Sequence, residues 1–277
     1  MFLNKKINYL KKKSVEIRYE ILKTIFDAKK GHIGGALSCV DILITLYFGK
    51  ILNFNPKLPK KKDRDIFLFS KGHASISLYV ILSKLGFFSK NKLKEFNKAA
   101  GKIAEHPDQR LPGIEAVSGS LGHGLNIGAG ISLANKIDKK NIFTFVLLGD
   151  GECYEGTVWE AAMFASHFKL GNLVAIIDRN NLTVLNKTEK IIKLEPFKDK
   201  WKSFGWNVIT VDGHNYYQLY QKISKIKKAK LSKPTVFIAN TVKGKGIREM
   251  ENQIAWHHGV PSKTMFENAK KELGFKL

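Results

Sequence analysis

Two short apolar runs joined by one helical stretch constrain this chain more than any other feature. Ile142-Phe143-Thr144-Phe145-Val146-Leu147-Leu148 and Leu173-Val174-Ala175-Ile176-Ile177 are continuous and rich in β-branched and aromatic residues. That pattern predicts strands buried on both faces of a parallel sheet. Between them Val158, Ala161, Ala162 and Ala165 recur at helical spacing, which predicts a crossover helix. The first run stops at Gly149-Asp150-Gly151 and the second at Asp178-Arg179-Asn180-Asn181-Leu182. Open α/β sheets bind ligands at the carboxyl ends of their strands, so Asp150 and Asn180 are expected to emerge side by side from adjacent strands. A carboxylate, a carboxamide oxygen and a nearby main-chain carbonyl are hard donors suited to Mg²⁺ or Ca²⁺, and magnesium keeps positions open for phosphates. The stretch therefore predicts a diphosphate held through a metal.

Gly149-Asp150-Gly151 followed about thirty residues later by Asn180-Asn181 resembles the thiamine-diphosphate motif, and Gly149-Asp150-Gly151-Glu152-Cys153-Tyr154-Glu155-Gly156-Thr157-Val158-Trp159-Glu160-Ala161-Ala162 resembles its transketolase form. The resemblance implies an α/β fold, a three-layer parallel sheet flanked by helices, with residues 1–277 forming one diphosphate-binding domain, an N-terminal helical extension and a C-terminal tail. It implies thiamine diphosphate and Mg²⁺ as cofactors, with Ca²⁺ or Mn²⁺ as possible substitutes for the magnesium. The metal ligands would be Asp150, the side chain of Asn180 and the main-chain oxygen of Leu182. Gly151 would let the diphosphate approach, Glu152 would join the cofactor contacts, and Glu155 would lie where paired subunits meet near the cofactor's pyrimidine.

The histidines extend the match. His32 lies in Gly31-His32-Ile33-Gly34-Gly35, where transketolases have a proline at the position of Ile33. His73 lies in Ser70-Lys71-Gly72-His73-Ala74, and a Gly-His pair before a helix can bring an imidazole and free N–H groups to an anion. His106 lies in Glu105-His106-Pro107-Asp108, similar to the family's donor-contacting His-Pro. Trp256-His257-His258-Gly259 resembles the family's carboxyl-end histidine, and His257 is favoured over His258 because it follows the tryptophan. Gly119-Ser120-Leu121-Gly122-His123-Gly124 does not have dinucleotide-loop spacing. Gly119 and Leu121 are expected to pack against the cofactor, and Ser120 and His123 resemble the version found in transketolases split over two chains. Lys243-Gly244-Lys245-Gly246 reads as a flexible loop more readily than as a phosphate cradle.

Elsewhere, Ile7 to Ala28 carries a helical apolar stripe expected to stop at Lys29-Lys30-Gly31, and a second helix is expected to begin near Ser38. Further strands are expected at Asp65 to Phe69, Trp206 to Val211 and Pro234 to Ala239. The formal charge is +23. Such an excess can mark a nucleic-acid binder, the rival reading. The lysines are spread over several segments without a nucleic-acid motif, so a solvated surface attracting anionic substrates is the better account. Cys39 and Cys153 form neither metal-ligand spacing nor a disulfide framework. No apolar run reaches membrane-span length and the start lacks a secretory core, so a cytoplasmic location is expected, with neither membrane nor nucleic acid as partner.

The match covers His32 to Pro261 but only the amino-terminal part of the family's pattern. The implied reaction passes a two-carbon glycolaldehyde unit from a ketose to an aldose, the usual substrates being sugar phosphates, with His32, His73, His106 and His257 meeting substrate oxygens. The pyrimidine-binding domain and its glutamate would come from a separate C-terminal subunit, with self-association across the dimer interface completing a heterotetramer. The alternative within thiamine enzymes is a chain like that of a 1-deoxyxylulose-phosphate synthase, decarboxylase or dehydrogenase.

Overall fold

In chain order the elements are α1 (Phe2–Ala28), α2 (Ile33–Ser38), α3 (Val40–Tyr47), β1 (Ile66–Phe69), α4 (Ile76–Leu85), α5 (His123–Ile137), β2 (Thr144–Gly149), α6 (Gly156–His167), β3 (Leu173–Arg179), α7 (Thr188–Ile191), α8 (Phe197–Ser203), β4 (Asn207–Asp212), α9 (Tyr216–Lys228), β5 (Thr235–Asn240) and α10 (Lys263–Glu272). They come from a computed structural model that describes residues 2–98, 101 and 103–275. The five strands are all parallel, in the order β1-β2-β3-β5-β4. Gly149 pairs with Asp178, so Asp150 leaves β2 beside Arg179, the last residue of β3.

Alternate residues of each strand feed two apolar layers. Phe67, Phe69, Phe145, Leu147, Val174, Ile176 and Phe237 face α1, α3, α4 and α9, while Leu68, Val146, Leu148, Ala175, Ile177 and Val236 face α5, α6 and α8. Helical cover on both faces is why β2 and β3 read as unbroken apolar runs. Gly128 of α5 lets that helix lie against the sheet, because a Cβ there would stand 2.6 Å from Val146. Among the described residues no helix is long and apolar enough to cross a membrane.

Several boundaries differ from the sequence reading. The second helix starts at Ile33 and is interrupted at Cys39, so Gly34 and Gly35 are helical and not part of a loop. A Cβ on Gly34 would come within 2.5 Å of the Trp256 carbonyl oxygen, so only glycine lets the two segments touch. The left-handed position after α1 is filled by Lys29, with φ +55°, ahead of Gly31. The C-terminal tail contains α10, capped where Ser262 accepts from the Met265 N–H at 3.2 Å, and its Phe266 stacks on Phe26 of α1. Periodicity over 183–205 is interrupted, and α7 and α8 form there through tertiary cover: Trp201 of α8 packs with Trp159 and Trp206.

The lysines that look scattered in sequence are partly gathered. Lys136, Lys139, Lys140, Lys169, Lys227, Lys228 and Lys230 line one surface recess. They follow or end α5, α6 and α9, and helices that return antiparallel to the strands all finish at the sheet's amino edge. Cations there complement the helix dipoles, which accounts for the patch without a nucleic acid.

At the opposite edge Lys71, just after β1, donates to the Asp178 carboxylate in β3 and to the Gly35 carbonyl of α2 at 2.9 Å. Ser38 of α2 donates to Asp178 at 2.5 Å, and Thr241, just after β5, also donates to it. Both charged side chains are essentially inaccessible to water. Removing one partner strands the other's charge, so Lys71→Met and Asp178→Leu are each expected to cost about 3–5 kcal/mol. The double variant should lose less than the two losses combined; urea unfolding of the three variants against the parent checks this.

Candidate active site

The carboxyl ends of β1, β2, β3 and β5 open into a cleft of about 410 Å³. Its walls include Lys71, His73, His106, Gly119, Leu121, Asp150, Gly151, Glu152, Asn180, Leu182, Lys243 and His257. Most of the residues singled out from sequence thus meet in one place. His32 is not part of the wall. Its ring lies behind it, 5.4 Å from His73 and 5.3 Å from His257 between centroids. Glu155 is exposed at the start of α6, outside the cleft.

Glu152 lines the cleft and is held by protein donors. Its carboxylate accepts from Ser70, from the Gly122 N–H at 2.9 Å and from the Gly149 N–H at 3.0 Å. Both oxygens accept from protein donors, so this side chain ties the glycine turn before α5 to the end of β2.

Three oxygen donors sit together at the β2 and β3 tips. Asp150 accepts from the Gly151 N–H at 2.8 Å and the Asn181 N–H at 2.6 Å, while Arg179 approaches at 3.4 Å. Asn180 Oδ1 accepts from the Leu182 N–H at 3.1 Å. The Leu182 carbonyl accepts from Lys243 Nζ at 3.1 Å, and the same ammonium donates to the Thr183 carbonyl at 3.2 Å. Burial, and then the neighbouring Asp178 charge, push the Asp150 carboxyl up to about 6. An acid so placed is short of positive charge, and a cation already stands on one of the three oxygens. The set fits a hard divalent ion.

Lys243 belongs to a segment read from sequence as a flexible loop, yet the segment is pinned. The Val242 N–H donates to His214 Nε2 at 2.8 Å, and His214 Nδ1 meets Asp41 Oδ2 at 2.7 Å. Arg18 bonds both Asp41 and the Lys245 carbonyl, and the Gly244 N–H donates to the Gly34 carbonyl. Burial and then Lys71 bring Lys243 down to about 8. His257 Nδ1 meets Lys243 Nζ at 2.7 Å, and burial followed by that charge lowers His257 to about 3. Burial and Lys71 likewise hold His73 well below the ordinary imidazole value. His257 therefore lines the cleft as a neutral ring, whereas His258 is exposed and turns toward Glu105, 3.8 Å away. Cys153 is buried against the Gly149 carbonyl and its thiol is pushed well up by burial, which suits packing and not nucleophilic attack.

The model of the family described as "Transketolase, thiamine diphosphate binding domain" matches residues 10–277. The chain belongs to the family of transketolase thiamine-diphosphate-binding domains. It is 40% identical over 271 residues to one subunit of the apulose-4-phosphate transketolase of Phocaeicola vulgatus, covering 98% of this chain and 96% of that one. It is 36% identical over 258 residues to the 6-deoxy-6-sulfo-D-fructose transketolase subunit SqwG of a Clostridium species, covering 93% of each. Among solved structures, the transketolase of Campylobacter jejuni superposes with a TM-score of 0.91 at 30% identity, over 96% of this chain but only 43% of that one. The chain thus spans less than half of the full-length transketolase it resembles.

Within this transketolase-type domain some working residues had a sequence signal and others had none. Lys71 and Glu105 lie inside quoted motifs, but nothing in their spacing says what they face. Lys243 was visible as a Lys-Gly repeat, and only its burial distinguishes it from a surface loop. Asp178 and Thr241 had no signal beyond standing at strand ends.

An imidazole whose folded pKa lies below its unfolded one takes up a proton on unfolding, so its share of stability is complete above the unfolded value and is lost as pH falls. For His257 that window runs from about 6.5 down to about 3. Between pH 7 and pH 5 the parent should lose about 1–2 kcal/mol more than His257→Asn does, after screening of a half-buried ring. Denaturant titrations of both at the two pH values measure the difference.

Proposed function

We propose that this chain is the thiamine-diphosphate-binding subunit of a two-chain transketolase that moves a two-carbon glycolaldehyde unit from a ketose or ketose phosphate to an aldose. A separate subunit would supply the pyrimidine-binding domain and its glutamate. The observation that carries the reading is the cleft itself: an under-compensated buried carboxylate beside two further oxygen donors, faced by Lys71, Lys243, His73 and His257. End-to-end similarity to proteins named as transketolase subunits, together with coverage of only 43% of a full-length transketolase, supports the missing half.

In this reading Asp150, Asn180 Oδ1 and the Leu182 carbonyl would hold Mg²⁺, which would supply positive charge for a diphosphate, while Gly151 would leave room for its approach and Lys243 would add positive charge. Gly119 and Leu121 pack against the organic part. Thiamine diphosphate, when bound, supplies a nucleophilic carbon able to accept and release the two-carbon unit. This chain's own residues do the remaining work on the diphosphate side. His73, His106 and His257, with His32 behind them, would hydrogen-bond sugar oxygens. His73 and His257, kept neutral by burial, can both donate and accept, and aimed donors of this kind are worth several kcal/mol to a developing alkoxide in a dry site.

Assembly has surface to draw on. Ile127, Met163, Phe164 and Phe168 are exposed on or just beyond α5 and α6, and Val184, Leu185 and Ile192 are exposed beside the cleft. Apolar surface of that extent is usually covered by a partner. Glu155, exposed at the start of α6, would join a contact between subunits.

Two measurements test the proposal. Asp150→Ala and Asn180→Ala should each abolish magnesium-dependent binding of thiamine diphosphate by calorimetry with and without chelator, and unchanged affinity in both would remove the metal assignment. Mixing the chain with the polypeptide encoded beside it should produce ketol transfer that neither gives alone; full turnover by this chain without a partner would overturn the two-chain reading.

A further inference from the structure

Glu105 precedes His106 of the cleft wall and faces His32, and it is held there from both sides. Ile103 and Pro107 flanking it are buried. Its carbonyl accepts from the Ser75 hydroxyl, and the carbonyl of His106 accepts from the Tyr79 hydroxyl at 2.8 Å, so the segment leading into and through α4 fixes the loop. The Glu105 side chain is only 12% exposed. Its carboxylate meets His32 Nδ1 at 2.7 Å, Lys30 Nζ at 3.5 Å and His258 Nε2 at 3.8 Å.

An ionised carboxylate can only accept, so the short contact requires the hydrogen of a neutral His32 to sit on Nδ1. Nε2 then keeps the lone pair. The other groups facing this ring are His73, His257 and His258, at 5.4, 5.3 and 4.7 Å between centroids, and His106. Lys71 and Lys243 stand behind His73 and His257. All of these oppose a positive charge on His32 and none selects its tautomer. Glu105 does the reverse: its carboxylate selects the Nδ1–H tautomer, and where burial lowers the His32 pKa, the Glu105 charge and hydrogen bond pull it back up.

We propose that Glu105 is a positioning residue that locks His32 in the Nδ1–H tautomer, so that Nε2 is the proton acceptor offered to a sugar hydroxyl. When a substrate O–H bond breaks, its proton forms the new N–H bond at Nε2, the electron pair stays on oxygen, and the imidazolium is neutralised by Glu105. An orienting carboxylate behind a working imidazole is a general device. This rests on the reading above that His32 serves the sugar site.

The test uses ¹⁵N-histidine-labelled full chain and long-range ¹H–¹⁵N spectra, with His32→Asn to assign the ring. The parent is expected to show His32 protonated at Nδ1. Glu105→Gln, whose amide oxygen can still accept, should keep that tautomer with a lower His32 pKa, and Glu105→Leu should release the ring to Nε2–H. The same tautomer in the parent and in Glu105→Leu, or a parent protonated at Nε2, overturns the proposal. These spectra need no turnover, so failure of the two-chain reading would leave them interpretable. In the active complex Glu105→Gln should lower kcat about 10-fold with KM little changed and move the acid limb of the pH profile downward. An unmoved limb beside a changed pKa would show that Glu105 does not act on the reaction through His32, and would overturn it as well.

Discussion

The ion pair between Lys71 and Asp178 joins the ends of three of the strands that reach the cleft, β1, β3 and β5. One charge follows β1 and the other closes β3; α2 is drawn in through Gly35 and Ser38, and the end of β5 through Thr241. Burial alone would push Asp178 up and Lys71 down. Their mutual attraction wins, holding the carboxyl below and the ammonium above their ordinary values. A pair so deeply buried is weak evidence for stability, since its attraction must first offset a desolvation cost of several kcal/mol per ion. What it supplies here is geometry, because four elements can satisfy it in one arrangement only.

That fixed charge sets the electrostatics above it. Burial and then Asp178 raise Asp150, leaving an acid that gains from a cation, while burial and then Lys71 lower Lys243 and His73, and burial and then Lys243 lower His257. The wall therefore carries ammonium groups beside imidazoles that stay neutral. Such a surface attracts an anionic ligand without spending the histidines as charges, which leaves them able to accept as well as donate. Glu105 sets His32 apart from the other rings by giving it a counter-charge.

The overall excess of positive charge has a different origin from the charge of the cleft. The lysine-lined recess lies at the amino edge of the sheet, where helices end and their dipoles favour cations. The cleft lies at the carboxyl edge and has two buried lysines with specific partners. Composition reports the sum of both and cannot tell them apart.

The sequence by itself determined the parallel β2-α6-β3 unit and the meeting of Asp150 with Asn180, because continuous apolar runs demand cover on both faces and a strand's end follows directly from where its apolar run stops. It also pointed to His73 and His106, whose glycine and proline neighbours mark turns next to strands and helices, and to His257 after its tryptophan. Only the tertiary structure decided which residues hold those groups in place. Lys71, Asp178, Thr241 and Lys243 act across 36 to 140 positions of chain separation, and Glu105 reaches His32 across 73. Local spacing carries no record of such distances. The same holds for Glu152, whose carboxylate accepts from Ser70 and the Gly122 N–H, and for α7 and α8, which form where the periodicity over 183–205 is interrupted.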